Sequence, residues 1–272
     1  MDRLVSGRFA RSAKYHPDWL VSHASGGACS LWLTEWLVEA LDLRPGMRVL
    51  DLGCGRACSS IFLRRELDVQ VWATDLWFNP AENLERVRDA GVDDGVFPLR
   101  ADARALPFAE AFFDAIVSID SFVYYGTDDL FLSNLARFVR PGGPVAIAGA
   151  GLTQEIEGPI PEHLQAWWEP GMSCLHSAAW WRRHWERSGI VTVDIADTLP
   201  DGWRAWLEWQ QAVAPDNVVE IQAIEADQGT YLGYVRAVCR RNTDARLDDP
   251  NPSIPRSYTR TPLLRQQVRQ VS

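Results

Sequence analysis

"RVLDLGCGRACSSIFL", Arg48 to Leu63, runs from an apolar strand through a glycine-bearing turn into a helix. Gly53 and Gly55 stand where the strand ends, so a ligand is expected to meet the backbone there. A P-loop is excluded, because no Gly-Lys-Ser/Thr follows the turn. The dinucleotide fingerprint fits only in part, since its third glycine position is Cys58. Asp51, two residues before Gly53, is expected to face the ligand from the strand's carboxyl end. A carboxylate there is a poor neighbour for a pyrophosphate and a good one for an ammonium or sulfonium.

Outward from this turn, short β-branched runs alternate with longer amphipathic segments, the pattern of βαβ units around a parallel sheet. Strands are expected over 47–52, 69–74, 96–101, 114–119 and 145–148, with helices over 58–67, 80–90 and 128–139. "CSLWLTEWLVEALDL" precedes the first strand with Leu31, Trp32, Trp36, Leu37, Ala40 and Leu41 at helical spacing. The stretch 149–174, rich in glycine and proline and holding a short helix pattern over 162–168, reads as an insertion. A helix follows in "HSAAWWRRHWERSG", which Ser177 can cap and Gly189 can end. "IVTVDIA" is then a strand, "GWRAWLEWQQAV" a helix and "YLGYVRAVCR" a closing strand. The divisions expected are an N-terminal lid segment over 1–27, a main domain over 28–241 with a cap around 151–175, and a tail over 242–272.

The chain has 272 residues and a formal charge of −9, which argues against a broad basic surface for nucleic acid. No apolar run approaches a membrane span, and the first fourteen residues lack the apolar core of a signal peptide. Five scattered cysteines read as reduced, and Cys54 and Cys58 have no second pair to complete a metal site. The expectation is a cytoplasmic protein without metal or membrane partner, with homo-oligomerisation left open. Thirteen tryptophans read first as core and interface packing.

Two further acids sharpen the turn. Asp75 ends the second strand, twenty residues after Gly55, where a carboxylate can accept from ribose hydroxyls. Asp102, in "ADARALPF" after the third strand, can accept from an adenine amino group, and capping its own turn is the competing reading. Three acids on successive strand ends around an open glycine turn describe a site for a cationic nucleoside. In "VLDLGCG", "ATD", "ADARALPF", "FFDAIVSID" and "FVRPGG", in that order, the chain resembles class I S-adenosylmethionine-dependent methyltransferases. The segment "HASGGACS" before the first long helix is similar to the branch that acts on small molecules.

The resemblance implies an α/β, doubly wound Rossmann-like sheet of seven strands in the order 3-2-1-4-5-7-6, the last antiparallel, with an inserted cap over the active site. It also implies residue roles. Asp51, Gly53, Cys54 and Gly55 would hold the methionine moiety, Asp75 the ribose, and Asp102 with Ala103 the adenine. Leu76 or Trp77 would flank the adenine ring, while Ile119 and Asp120 would contact the amine side of the methionine. One departure is visible: the third glycine usual in the motif is Ala57.

Methyl transfer is an in-line displacement that demands positioning and, for some acceptors, removal of a proton. His176 is the first candidate base, with a capping or core role as its alternative. Tyr124 and Tyr125 can orient the acceptor, or simply pack under the next helix. Trp77, Phe78, Trp167, Trp168 and Trp180 suit an aromatic, apolar or cationic small molecule as substrate, with an O-, N- or C-acceptor. The alternatives are a nucleic-acid methyltransferase, favoured only by the tail arginines Arg256, Arg260, Arg265 and Arg269, a nicotinamide oxidoreductase, and a cofactor-binding protein without catalysis.

Overall fold

Side chains alternate across each strand, and this alternation builds the molecule in three layers. The structure, a computed structural model, describes residues 4–247. Most of the tail expected over 242–272, with Arg256, Arg260, Arg265 and Arg269, therefore lies outside the described residues. In β1 (Arg48–Leu52), Val49 packs into one apolar cluster with Ile61 and Phe62. Leu50 and Leu52 enter a second cluster on the opposite face with Phe113, Ile116 and Leu135.

The other strands are β2 (Gln70–Asp75), β3 (Val96–Arg100), β4 (Ala115–Ile119), β5 (Pro144–Leu152), β6 (Val191–Thr198) and β7 (Leu232–Arg241). They form one seven-stranded sheet in the order β3-β2-β1-β4-β5-β7-β6, as expected. The first five strands of this order run parallel, and β7 runs antiparallel between β5 and β6.

One face is covered by α2 (Ser30–Val38), α3 (Cys58–Leu67), α4 (Pro80–Asp89), α8 (Gly202–Val213) and α9 (Val218–Asp227). The other carries α5 (Phe131–Ala136) and α7 (Ala178–Glu186). Most tryptophans are packing residues: Trp32, Trp36, Trp181, Trp185 and Trp209 are among the largest fully buried side chains. Ser177 caps α7 by accepting the amide of Trp180 at 3.2 Å.

Four local expectations change. β5 continues to Leu152 because β7 pairs with it residue by residue as far as Leu152↔Leu232, so the insertion starts later than the sequence suggests. The helix expected over 128–139 contracts to α5, because the Asp128 carboxylate turns back to accept the Leu130 amide at 2.8 Å. Within the insertion the helix contracts to α6 (Glu162–Gln165), followed by a tight turn over Pro170–Cys174. α9 is an additional helix; its β-branched Val218, Val219 and Ile221 disguise it in the sequence.

The N-terminal residues do not stand apart from the domain. α1 (Pro17–Ser22) lies in a segment fastened to α2 by Glu35, whose carboxylate accepts the amides of Arg11 at 3.0 Å and Ser12 at 2.7 Å. Phe9 stacks on Trp32 with ring centroids 5.9 Å apart.

Candidate active site

In an open sheet the cleft forms beyond the strand ends where the order reverses, here between β1 and β4. Two adjoining chambers lie there, of about 140 and 80 Å³. Both are bordered by Gly53, Asp75, Trp77, Ser121 and Tyr124, which form a common waist. The larger chamber extends past Leu76, Asp102, Ala103 and Arg104. The smaller extends past Cys54, Gly55, Ile119 and Asp120, with Ser25, Gly26, Ala28 and Ser30 as its far wall.

The glycines are there because neighbours occupy the space a Cβ would need. Gly53 has φ +76° and a Cβ on it would fall on the Ser121 hydroxyl; one on Gly55, φ +55°, would fall on that of Ser25. Ala57 holds the same left-handed conformation with φ 61°, without the freedom of glycine.

Asp75 binds backbone. One carboxylate oxygen accepts the Gly55 amide at 2.9 Å, and the other accepts those of Trp77 at 2.8 Å and Phe78 at 3.1 Å. Asp102 accepts the Arg104 amide at 2.9 Å, so it caps its own turn while bordering the cleft. Asp120 accepts the Ala150 amide at 3.2 Å, and burial pushes its carboxyl up to about 6.

Asp51 is a correction. It does not border either chamber; strand alternation puts it on the side of Val49, under α3. The hydroxyls of Ser59 and Ser60 both donate to one of its oxygens at 2.6 Å. The other oxygen is buried without a partner among the described residues, and burial pushes the carboxyl up to about 6. Ser59 itself borders the smaller chamber, so Asp51 supports the floor from below.

The expected catalytic residues separate. Tyr124 lies at the waist, 61% exposed, with its ring 5.9 Å from that of Trp77, itself 73% exposed. Tyr125 borders the larger chamber, yet its hydroxyl lies 3.1 Å from those of Ser118 and Ser121 and 3.3 Å from the Leu52 carbonyl. It braces the wall facing Gly53. His176 borders neither chamber. Its Nδ1 lies 3.2 Å from a Glu155 oxygen and its ring stacks 3.7 Å from that of Trp180. Trp167 packs inward, 5.9 Å from the ring of Trp206. Ser25, Gly26, Ala28 and Ser30 are not singled out individually by the sequence, though "HASGGACS" marks their neighbourhood, and Ser121 is not singled out either.

The cleft has acids along its length, and Arg104 is the one basic residue on its walls among the described residues. That composition fits a cationic nucleoside better than a pyrophosphate. Comparison with known proteins agrees. Residues 49–143, which contain the glycine turn, β2, β3 and β4, match a family described as a methyltransferase domain. The methyltransferase GfsG of Streptomyces halstedii is 38% identical over 117 residues, 43% of this chain and 42% of that protein. The 27-O-demethylrifamycin SV methyltransferase of Amycolatopsis mediterranei is 28% identical across 82% of this chain and 83% of its own. Against most of the first curated relatives, the alignment spans about half of their length. The crystal structure of a geranyl diphosphate C-methyltransferase from Streptomyces coelicolor A3(2) shares the fold with a TM-score of 0.64, at 20% identity and 76% coverage of each chain.

Residues 49–143 thus carry a methyltransferase domain, and the sheet order and glycine turn around it are those of the class I S-adenosylmethionine-dependent methyltransferases that the sequence resembles. Among the described residues no helix is long and apolar enough to cross a membrane.

Proposed function

We propose that the protein moves a methyl group from S-adenosylmethionine to an oxygen of a small, apolar or aromatic molecule. The observation that carries the cofactor end is the row of acids, with Asp102 in one chamber, Asp75 at the waist and Asp120 in the other. In this reading Asp102, Ala103 and Leu76 take the adenine and Asp75 the ribose. Gly53, Cys54, Gly55, Ile119 and Asp120 take the methionine end, whose ammonium suits the Asp120 carboxylate. Asp51 acts only through Ser59. Bound there, the cofactor supplies a methyl group activated on a sulfonium.

The chain's own work is to orient the acceptor and keep water out. Tyr124 and Trp77 offer two exposed aromatic faces at the mouth, which suit a planar or apolar acceptor. Tyr125 keeps the wall rigid, and His176, held beside the cleft by Glu155 and Trp180, has no part in this reading. An oxygen acceptor is supported by the relative named for 27-O-demethylrifamycin SV, which aligns over most of both chains. The formal charge of −9 speaks against a polyanionic acceptor.

The test is a methyl-transfer assay with labelled cofactor, offering a small-metabolite extract, RNA and DNA in parallel. Label should enter the small-molecule fraction as an ether or ester. Label confined to polynucleotide would overturn the reading of the acceptor.

A further inference from the structure

The far wall of the smaller chamber, residues 25–28, forms no helix or strand. It is held from two sides. On the cleft side Gly26 lies so close to Asp120 that a Cβ would stand 2.8 Å from the carboxylate, and Ser25 closes over Gly55. From behind, Gln210 of α8 donates from Nε2 to the Gly27 carbonyl at 2.9 Å, across 183 positions of sequence. Glu220 of α9 backs the same residue; its carboxylate accepts from the Trp206 indole at 2.9 Å and from the Asn217 side-chain Nδ2 at 2.7 Å.

Gln210 is only 3% exposed, and its Oε1 is buried with no partner among the described residues. A buried amide with an unpaired oxygen is destabilising, and an apolar residue of the same shape would serve packing better. What the amide does supply is one donor, aimed at the carbonyl of a loop with no ladder of its own. We propose that Gln210 is a positioning residue for the cofactor, acting through Gly27 to hold the 25–28 wall against Asp120. The proposal rests on the reading of this cleft as the S-adenosylmethionine site.

Removing the donor leaves the Gly27 carbonyl to seek water, and the wall swings away from Asp120. The chamber then widens at its methionine end, while Trp77 and Tyr124 at the mouth are untouched. The cofactor should therefore bind more weakly, with the KM of the acceptor unchanged.

Gln210→Met keeps the volume and removes the donor. Calorimetry with S-adenosylhomocysteine should show wild-type binding and a Kd raised about five- to tenfold in the variant, the scale of one net hydrogen bond. Hydrogen exchange on the protein without any cofactor should show faster exchange of the 26–29 amides in the variant alone. A Kd within twofold of wild type together with unchanged exchange would overturn the proposal. Absence of binding by the wild type would instead defeat the reading of the cleft, and this proposal with it. Should Gln210→Met not fold, Gln210→Leu, which likewise has no donor, carries the same expectations for Kd and exchange.

Discussion

The Asp75 carboxylate accepts the Gly55 amide at 2.9 Å with one oxygen and caps Trp77 and Phe78 with the other. One side chain at the end of β2 thus fixes the glycine turn and the loop that carries Leu76 and Trp77. Any ribose contact is added to a carboxylate already engaged in holding the site's shape. Asp75→Asn puts an amide N–H against a backbone N–H and breaks at least one charge-assisted bond. Cofactor affinity should fall by about 1.5–3 kcal/mol, and the melting temperature should fall with it. Calorimetry and thermal unfolding on the same preparations check this. Loss of affinity with an unchanged melting temperature would leave the carboxylate a ligand contact alone.

Ala57 gives a prediction of the opposite sign. Its φ of 61° is a conformation that costs an L-residue roughly 1–2 kcal/mol and glycine almost nothing. Glycine loses more backbone freedom on folding, which returns part of that gain. Ala57→Gly should stabilise the fold by about 0.5–1 kcal/mol, read as a higher denaturant midpoint with an unchanged slope. A lower midpoint would show that the buried methyl's packing outweighs its strain.

Much of the fold was legible because βαβ units announce themselves twice, by periodicity and by the turns between elements. The sheet order came from the resemblance in motif order, and the structure has the same order. Asp51 was harder. Its position at a strand end says that it is near the turn, but only the parity with Val49 says which face it takes, and the Ser59–Ser60 pair was the visible signal that α3 would claim it. Contacts such as Gln210 to Gly27 or Ser25 to Gly55 join distant positions through packing, and no local pattern in one sequence encodes them. His176 looked suited to the site by chain order, yet Glu155 and Trp180 hold it to the side.

Asp120 predicts a pH dependence. Burial pushes its carboxyl up to about 6, and only the ionised form attracts an ammonium. Cofactor affinity should therefore drop as pH falls through 6, by roughly three- to fivefold between pH 7.5 and 5.5. Asp120→Asn should bind more weakly at pH 7.5 and lose this slope. Stability runs the other way. A carboxyl whose folded value exceeds its ordinary 3.8 binds its proton more tightly when folded, so Asp120 and Asp51 lower stability as pH rises from about 4 through 6. Titration calorimetry across this range checks the first effect. An identical slope in Asp120→Asn would move its origin to another group.

Trp77 and Tyr124 decide what the mouth of the cleft is for. Their rings lie 5.9 Å apart at 58°, and both remain largely open to solvent. Little burial is lost when either is truncated, so Trp77→Ala and Tyr124→Ala should change stability by no more than about 0.5 kcal/mol. An acceptor lying against these faces removes them from water, an effect of about 1–2 kcal/mol per ring. The acceptor KM should then rise roughly five- to thirtyfold in each variant, with a small change in the KM of the cofactor. Tyr124→Phe separates the ring from its hydroxyl and should retain most of the wild-type acceptor KM. Steady-state kinetics with each substrate varied in turn distinguishes the two sides of the pair. If the cofactor KM alone rises, the two rings roof the cofactor, and the acceptor enters the cleft from another side.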